Sequence, residues 1–132
     1  MSLHELRILT TASTPGISFN PNGVLGIKGR SVIGNANGFC TLLEEWLDRY
    51  ICNPADTTYV NFHLEYISTS NLKIYIHLLK KIESVRLKNK KYIINWYYDE
   101  GDEDILEMGE YISSILNIPF NYLYITDPSL PD

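Results

Sequence analysis

Apolar and polar residues alternate from Tyr59 to Tyr66, then give way to a spacing of three and four. Four small polar residues, Ser68, Thr69, Ser70 and Asn71, occupy the change. Val60, Phe62, Leu64 and Tyr66 against Tyr59, Asn61, His63 and Glu65 predict a strand of about nine residues. Leu72, Tyr75, Ile76, Leu79 and Ile82 then predict a helix over 71–87 with one apolar face. Its basic end, from Lys80 to Lys91, suits the negative pole of a helix. Phe39, Leu42, Leu43, Trp46, Leu47 and Tyr50 predict an earlier helix over 39–51, stopped by Asn53-Pro54. Ile105, Met108, Ile112 and Leu116 predict a third over 103–116.

Short strands at 17–19 and 24–27 flank Asn20-Pro21-Asn22-Gly23, a hairpin turn signal. Residues 92–98 have little polar relief and are expected to form a central strand, and 120–125 a last short one. Residues 1–15 are expected to be loosely ordered, 29–38 to be a loop, and 126–132 to fray. The order β-β-α-β-α-β-α-β predicts one α/β domain over 1–132. Its mixed sheet has an N-terminal hairpin and right-handed parallel β-α-β crossovers, with helices packed on the sheet.

Composition narrows the function classes. At 132 residues and 45% hydrophobic, the chain suits one globular domain, and its ten tyrosines favour a sheet. A net charge of −5 argues against nucleic acid or an anionic membrane as partner. Five of the sixteen carboxylates crowd into 99–104. Cys40 and Cys52 are the only cysteines, and twelve residues of helix span about 18 Å, too far for a disulfide. Reduced thiols favour the cytosol. The N-terminus lacks a signal-peptide pattern, and no apolar run approaches the roughly 20 residues of a membrane span. A cytoplasmic protein is the expectation.

Strands ending near Tyr66 and Tyr98 should run parallel, which brings Thr69 and the acidic run to one edge of the sheet. Ser68, Thr69 or Ser70 can cap the following helix. The same free N–H groups can equally seat a phosphate, whose charge would also meet Asp99, Glu100, Asp102, Glu103 and Asp104. The residues by themselves leave both readings open. The acidic run lacks calcium-loop spacing, and half of it begins a helix, so no metal is expected. Neither His63 nor His77 is placed to activate Thr69 as a nucleophile, and the glycines lack nucleotide-binding spacing. No catalytic residue and no cofactor are expected.

Several stretches together resemble the SiaC family of regulatory phosphoproteins, small STAS-like domains akin to anti-sigma-factor antagonists. They are STPGISF at 13–19, the hairpin from Gly23 to Gly29, Phe39 with LLEEWLDRY at 42–50, and YISTSNLK at 66–73. Trp96-Tyr97-Tyr98, DEDILEMGE at 102–110 and Pro119-Phe120 continue the likeness, which covers nearly all of the chain. The family pattern Asn-Thr-Ser-Ser, apolar, Lys falls on residues 68–73, so Thr69 is the implied phosphoacceptor. The resemblance implies a serine/threonine kinase, a PP2C-type phosphatase and a diguanylate cyclase as partners. The unphosphorylated form would activate the cyclase, and phosphorylation would release it. Ser68, Ser70, Asn71, Lys73 and the acidic residues of 99–104 are the expected docking surface. Gly34-Asn35-Ala36 departs from the family's Pro-Glu-Asn, which puts contacts of that loop in question. An antagonist in a sigma-factor partner-switching cascade is the alternative.

Overall fold

The computed structural model describes residues 2–126. Six strands form one sheet in sequence order: β1 (Leu6–Ile8), β2 (Gly16–Phe19), β3 (Val24–Ser31), β4 (Thr57–Ile67), β5 (Lys91–Asp99) and β6 (Asn121–Ile125). β2 runs antiparallel to its neighbours β1 and β3, and β3 to β6 run parallel. Helices α1 (Asn37–Tyr50), α2 (Leu72–Glu83) and α3 (Glu103–Leu116) make the three crossovers.

Each crossover steps one strand in the same direction, and right-handed connections then place all three helices on one face. The burial pattern agrees. Leu25, Val60 and Ile94 lie side by side on the covered face, as do Ile27, Phe62 and Trp96. Among the described residues the sheet is therefore covered on one side only. Its other face carries Ser18, Lys28, Asn61, His63 and Asn95. There Asn121 donates to Asn95 at 3.2 Å and Asn95 to Asn61 at 2.9 Å, a carboxamide ladder across three parallel strands.

The hairpin between β2 and β3 forms as its turn residues predict: Gly23 N–H donates to Asn20 O at 2.9 Å, with Gly23 at φ +103°. The structure differs from the sequence expectations in five respects. Residues Leu6–Ile8 form an edge strand where none was expected; three residues are too few for periodicity, and the pairing with β2 is a tertiary matter. Trp46 Nε1 holds this segment by donating to His4 O at 2.7 Å. Strand β3 runs on to Ser31, past a bulge at Gly29–Arg30.

The second helix begins as a 3₁₀ turn (Thr69–Asn71), becomes α-helical at Leu72, and ends at Glu83 with a further 3₁₀ segment (Ser84–Lys88). Its buried side is rotated from the expected one, taking in Ile74 and Leu78 while Leu72 and Ile76 are only partly covered. Strand β5 is paired on both sides but is next to last, and only its Ile94 and Trp96 are fully buried. Cys40 and Cys52 are free thiols. The tail expected to fray falls, beyond Thr126, outside the described residues.

Aromatic rings join the layers. Trp96 packs 5.1 Å from Phe62 and 5.9 Å from Phe120, between ring centroids, and its indole N–H donates to Ile105 O at 2.9 Å. Helix α3 lies so close over this indole that a Cβ at Gly109 would stand 2.6 Å from it. Overpacking of this kind costs about 1–3 kcal/mol. Gly109→Ala should therefore lower the urea midpoint, with an unchanged slope. Gly38→Ala, where a Cβ meets nothing within 4 Å, should raise it, by about 0.5 kcal/mol in stability.

Candidate functional site

Parallel pairing of β4 with β5 sends both chain exits to the same edge of the sheet. After Ile67 the chain turns through Ser68 into the 3₁₀ turn, and after Asp99 it turns at Gly101 into α3. Between the exits lies a groove of about 670 Å³, lined by Glu65, Tyr66, Ser68, Thr69, Asp102, Asp104, Glu107, Met108 and Tyr111 among others. The Thr69 side chain is exposed, and its hydroxyl makes no hydrogen bond among the described residues. Four carboxylates line the groove, and no lysine, arginine or histidine does. The exposed hydroxyl faces these carboxylates, and the Arg30 guanidinium stands 5.3 Å from the centroid of the Tyr66 ring that lines the same groove.

The structure divides the residues expected at this site. Asp102 and Asp104 join Thr69 and Ser68 in the groove. Asp102 also caps α3, accepting from Ile105 N–H at 3.2 Å. Glu103 is exposed in the first turn of α3 but does not line the groove. Asp99 turns to the uncovered face, where its Oδ1 lies 3.0 Å from His63 Nε2. Glu100 sits in the turn, its N–H donating to Ile125 O at 2.9 Å. Lys73 borders a separate, smaller cleft between α1 and α2 with Cys40, Glu44 and His77. Burial of Cys40, reinforced by its hydrogen bond to Glu44, pushes that thiol up to about 11.

Asn71 is the clearest correction. Expected at the docking surface, it is 1% exposed. Its Oδ1 accepts from Ser31 Oγ and from Ile33 N–H, both at 2.9 Å, and its Nδ2 donates to Ile33 O at 3.0 Å. Tyr75 completes the set by donating to Ser31 Oγ at 2.6 Å. A buried carboxamide needs such partners, and the sequence alone does not reveal them. The capping expectation also fails: among the described residues no backbone N–H donates to the hydroxyl of Ser68, Thr69 or Ser70, and Ser68 Oγ instead lies 3.2 Å from Ser70 Oγ. The first N–H groups of the second helix are thus not taken by side-chain caps.

Of the groove residues not singled out from sequence, Glu107, Met108 and Tyr111 were legible in principle, from the spacing of one helix face. Glu65 and Tyr66 were not: the register shifts opposite the Gly29–Arg30 bulge, so Tyr66, expected on the covered face, is exposed and Ile67 is buried instead. Tyr111, 53% exposed, extends this apolar strip beyond the acids.

A one-sided α/β sheet with an exposed hydroxyl set among acids at its parallel-strand edge has the layout of a protein-binding regulatory domain. The family comparison agrees: residues 8–125 match the SiaC family of regulatory phosphoproteins, and the chain belongs to that family. Its relatives include an uncharacterized protein of Pseudomonas aeruginosa strain UCBPP-PA14, 24% identical over 119 residues, covering 89% of this chain and 94% of the relative. Among solved structures, apo-SiaC from P. aeruginosa superposes with a TM-score of 0.78 at 23% identity, over 94% of this chain and 98% of that one. A chain in the crystal structure of diguanylate cyclase SiaD in complex with its activator SiaC, also from P. aeruginosa, gives 0.79 at 23% identity. That match covers 92% and 99% of the two chains. Among the described residues no helix is long and apolar enough to cross a membrane.

The buried network has a pH signature. Burial pushes the Tyr75 phenol up to about 12, against about 10 in the unfolded chain. A group raised on folding contributes stability below its unfolded value and loses that contribution as pH climbs to the folded one. Tyr75→Phe removes one hydrogen bond, about 1 kcal/mol at pH 7. The gap between the native protein and this variant in urea unfolding should narrow as the pH rises from 10 toward 12.

Proposed function

We propose that this chain is a non-enzymatic signalling adaptor. In this reading, phosphorylation of Thr69 switches its binding to, and activation of, a diguanylate cyclase, and so the supply of cyclic di-GMP in the cytoplasm. A serine/threonine kinase moves the γ-phosphoryl group of ATP to Thr69 Oγ1. The bond to ADP breaks, the new P–O bond forms, and the hydroxyl proton passes to the kinase. A PP2C-type phosphatase reverses the change with water, releasing inorganic phosphate.

The observation that carries the reading is the exposed Thr69 hydroxyl in a groove it shares with Asp102 and Asp104, within a family of regulatory phosphoproteins. Support for the partner comes from the matched fold of SiaC, the activator in complex with the cyclase SiaD. A phosphate adds about 1.5–2 negative charges. Like charges about 4 Å apart repel by roughly 1 kcal/mol in bulk water and 4 kcal/mol near a protein surface. Each 1.4 kcal/mol carried into the interface changes affinity about tenfold. The same groove offers Met108 and Tyr111 as apolar contacts that a phosphate would overhang.

Incubation with a serine/threonine kinase of the same organism and ATP should place one phosphate on Thr69 by mass spectrometry, and Thr69→Ala should abolish labelling. A pull-down with the unmodified chain should recover a GGDEF-containing cyclase; recovery of an anti-sigma kinase instead would favour the sigma-factor antagonist. Thr69→Asp should weaken cyclase binding in part, because a carboxylate has a single charge and lacks phosphate geometry. Labelling elsewhere, with Thr69 untouched, would overturn the proposal.

A further inference from the structure

We propose that Asn71 is the positioning residue of the Thr69 turn, and that it couples this turn to the loop between β3 and α1. That loop, residues 32–36, then becomes a second part of the surface that changes when Thr69 is modified. The inference rests on the reading of Thr69 given above.

The turn at 68–71 has few anchors. Apart from the bond that Leu72 N–H of its own helix gives to Thr69 O, its hydrogen bonds to the rest of the described chain run to one place, the exit of β3. Ser68 N–H donates to Ser31 O at 2.9 Å, and the Asn71 carboxamide holds Ser31 Oγ and both backbone groups of Ile33. Within the turn, Asn71 N–H donates to Ser68 O at 3.0 Å. Thr69 and Asn71 therefore belong to one small rigid unit.

The loop, in turn, depends on Asn71. Ile33 uses both its N–H and its C=O on this one side chain, as a strand residue would use a neighbouring strand. The ends of the loop have other anchors, Val32 N–H donating to Ser13 O at 2.8 Å and Ala36 being buried, and Ile33 packs against the core. Gly34 and Asn35 are exposed, and among the described residues the hydrogen bonds of Ile33 run to Asn71 alone.

A phosphate on Thr69 acts on this unit from two sides. The N–H groups at the start of the second helix draw its oxygens and pull the 3₁₀ turn toward regular helical geometry. Asp102 and Asp104 across the groove push the new charge away. Either displacement moves the Asn71 backbone. Hydrogen bonds of 2.9–3.0 Å do not stretch far before they fail, and core-packed Ile33 cannot move with the turn, so it is released. The modified hydroxyl and the loop thus change together, although no contact between Thr69 and the loop is needed.

The test is amide hydrogen exchange by NMR on the full chain. Phosphothreonine is installed at position 69 by genetic code expansion, so no kinase is involved. In the unmodified chain the Ile33 amide should be protected. Phosphate at Thr69 should speed its exchange by about tenfold or more, while the amides of Val60 and Phe62 in the core stay unchanged. In Asn71→Ser, Ile33 should exchange fast already, and the phosphate should then change it by less than about twofold. An unprotected Ile33, or exchange that the phosphate leaves unchanged or slows, would overturn the coupling. A full response persisting in Asn71→Ser would remove Asn71 from it. If that variant does not fold, the comparison on the native sequence still decides. Failure of a kinase to label Thr69 would count against the proposed function and leave this measurement intact.

Discussion

Strand β3 is followed by three crossovers that each advance one strand in the same sense. A right-twisted strand feeding a right-handed helix returns to the sheet in only one favourable hand, so all three helices must lie on one face. Most of the architecture follows from this constraint. It leaves the other face to Ser18, Lys28, His63 and the asparagine ladder. It also brings the carboxyl ends of β4 and β5 to one edge, where the Thr69 turn and the start of α3 face each other across a groove.

The edge so formed has a lopsided chemistry. Lys80, Lys81, Arg86 and Lys88 lie at the far end of the second helical segment, away from the groove, where they complement the helix dipole. The groove itself holds Glu65, Asp102, Asp104 and Glu107. The exposed Thr69 hydroxyl carries no charge of its own; an anion added there would meet these four carboxylates on one side and the helix start, with Arg30 against Tyr66, on the other.

Beneath that surface the requirements are those of the interior. Ser31, Asn71 and Tyr75 are buried polar residues, and each is satisfied by the others or by Ile33. Such a network is costly to leave half-made, which gives the turn above it a definite position. Exposed chemistry at Thr69 thus sits two residues from one of the most constrained side chains in the fold.

Much of this was legible in the residues alone. Three-to-four spacing located the three helices and alternation β4, because these elements bury one face and periodicity records burial; the hairpin turn located β2 and β3, and an apolar run with little polar relief located β5. Strand β1 escaped because three residues carry no period, and the rotation of α2 because Ile74 and Leu78 flank the apolar stripe rather than interrupt it. The candidate phosphoacceptor was legible through its motif, and its nearness to the acidic run through parallel pairing. Which acids share the groove was not. Asp99 and Asp102 stand three residues apart, yet a strand sends one to the open face and a helix cap holds the other at the edge. Asn71 reads as polar and therefore exposed; only the fold, by placing Ser31 and Ile33 against it, supplies the partners that let a carboxamide be buried.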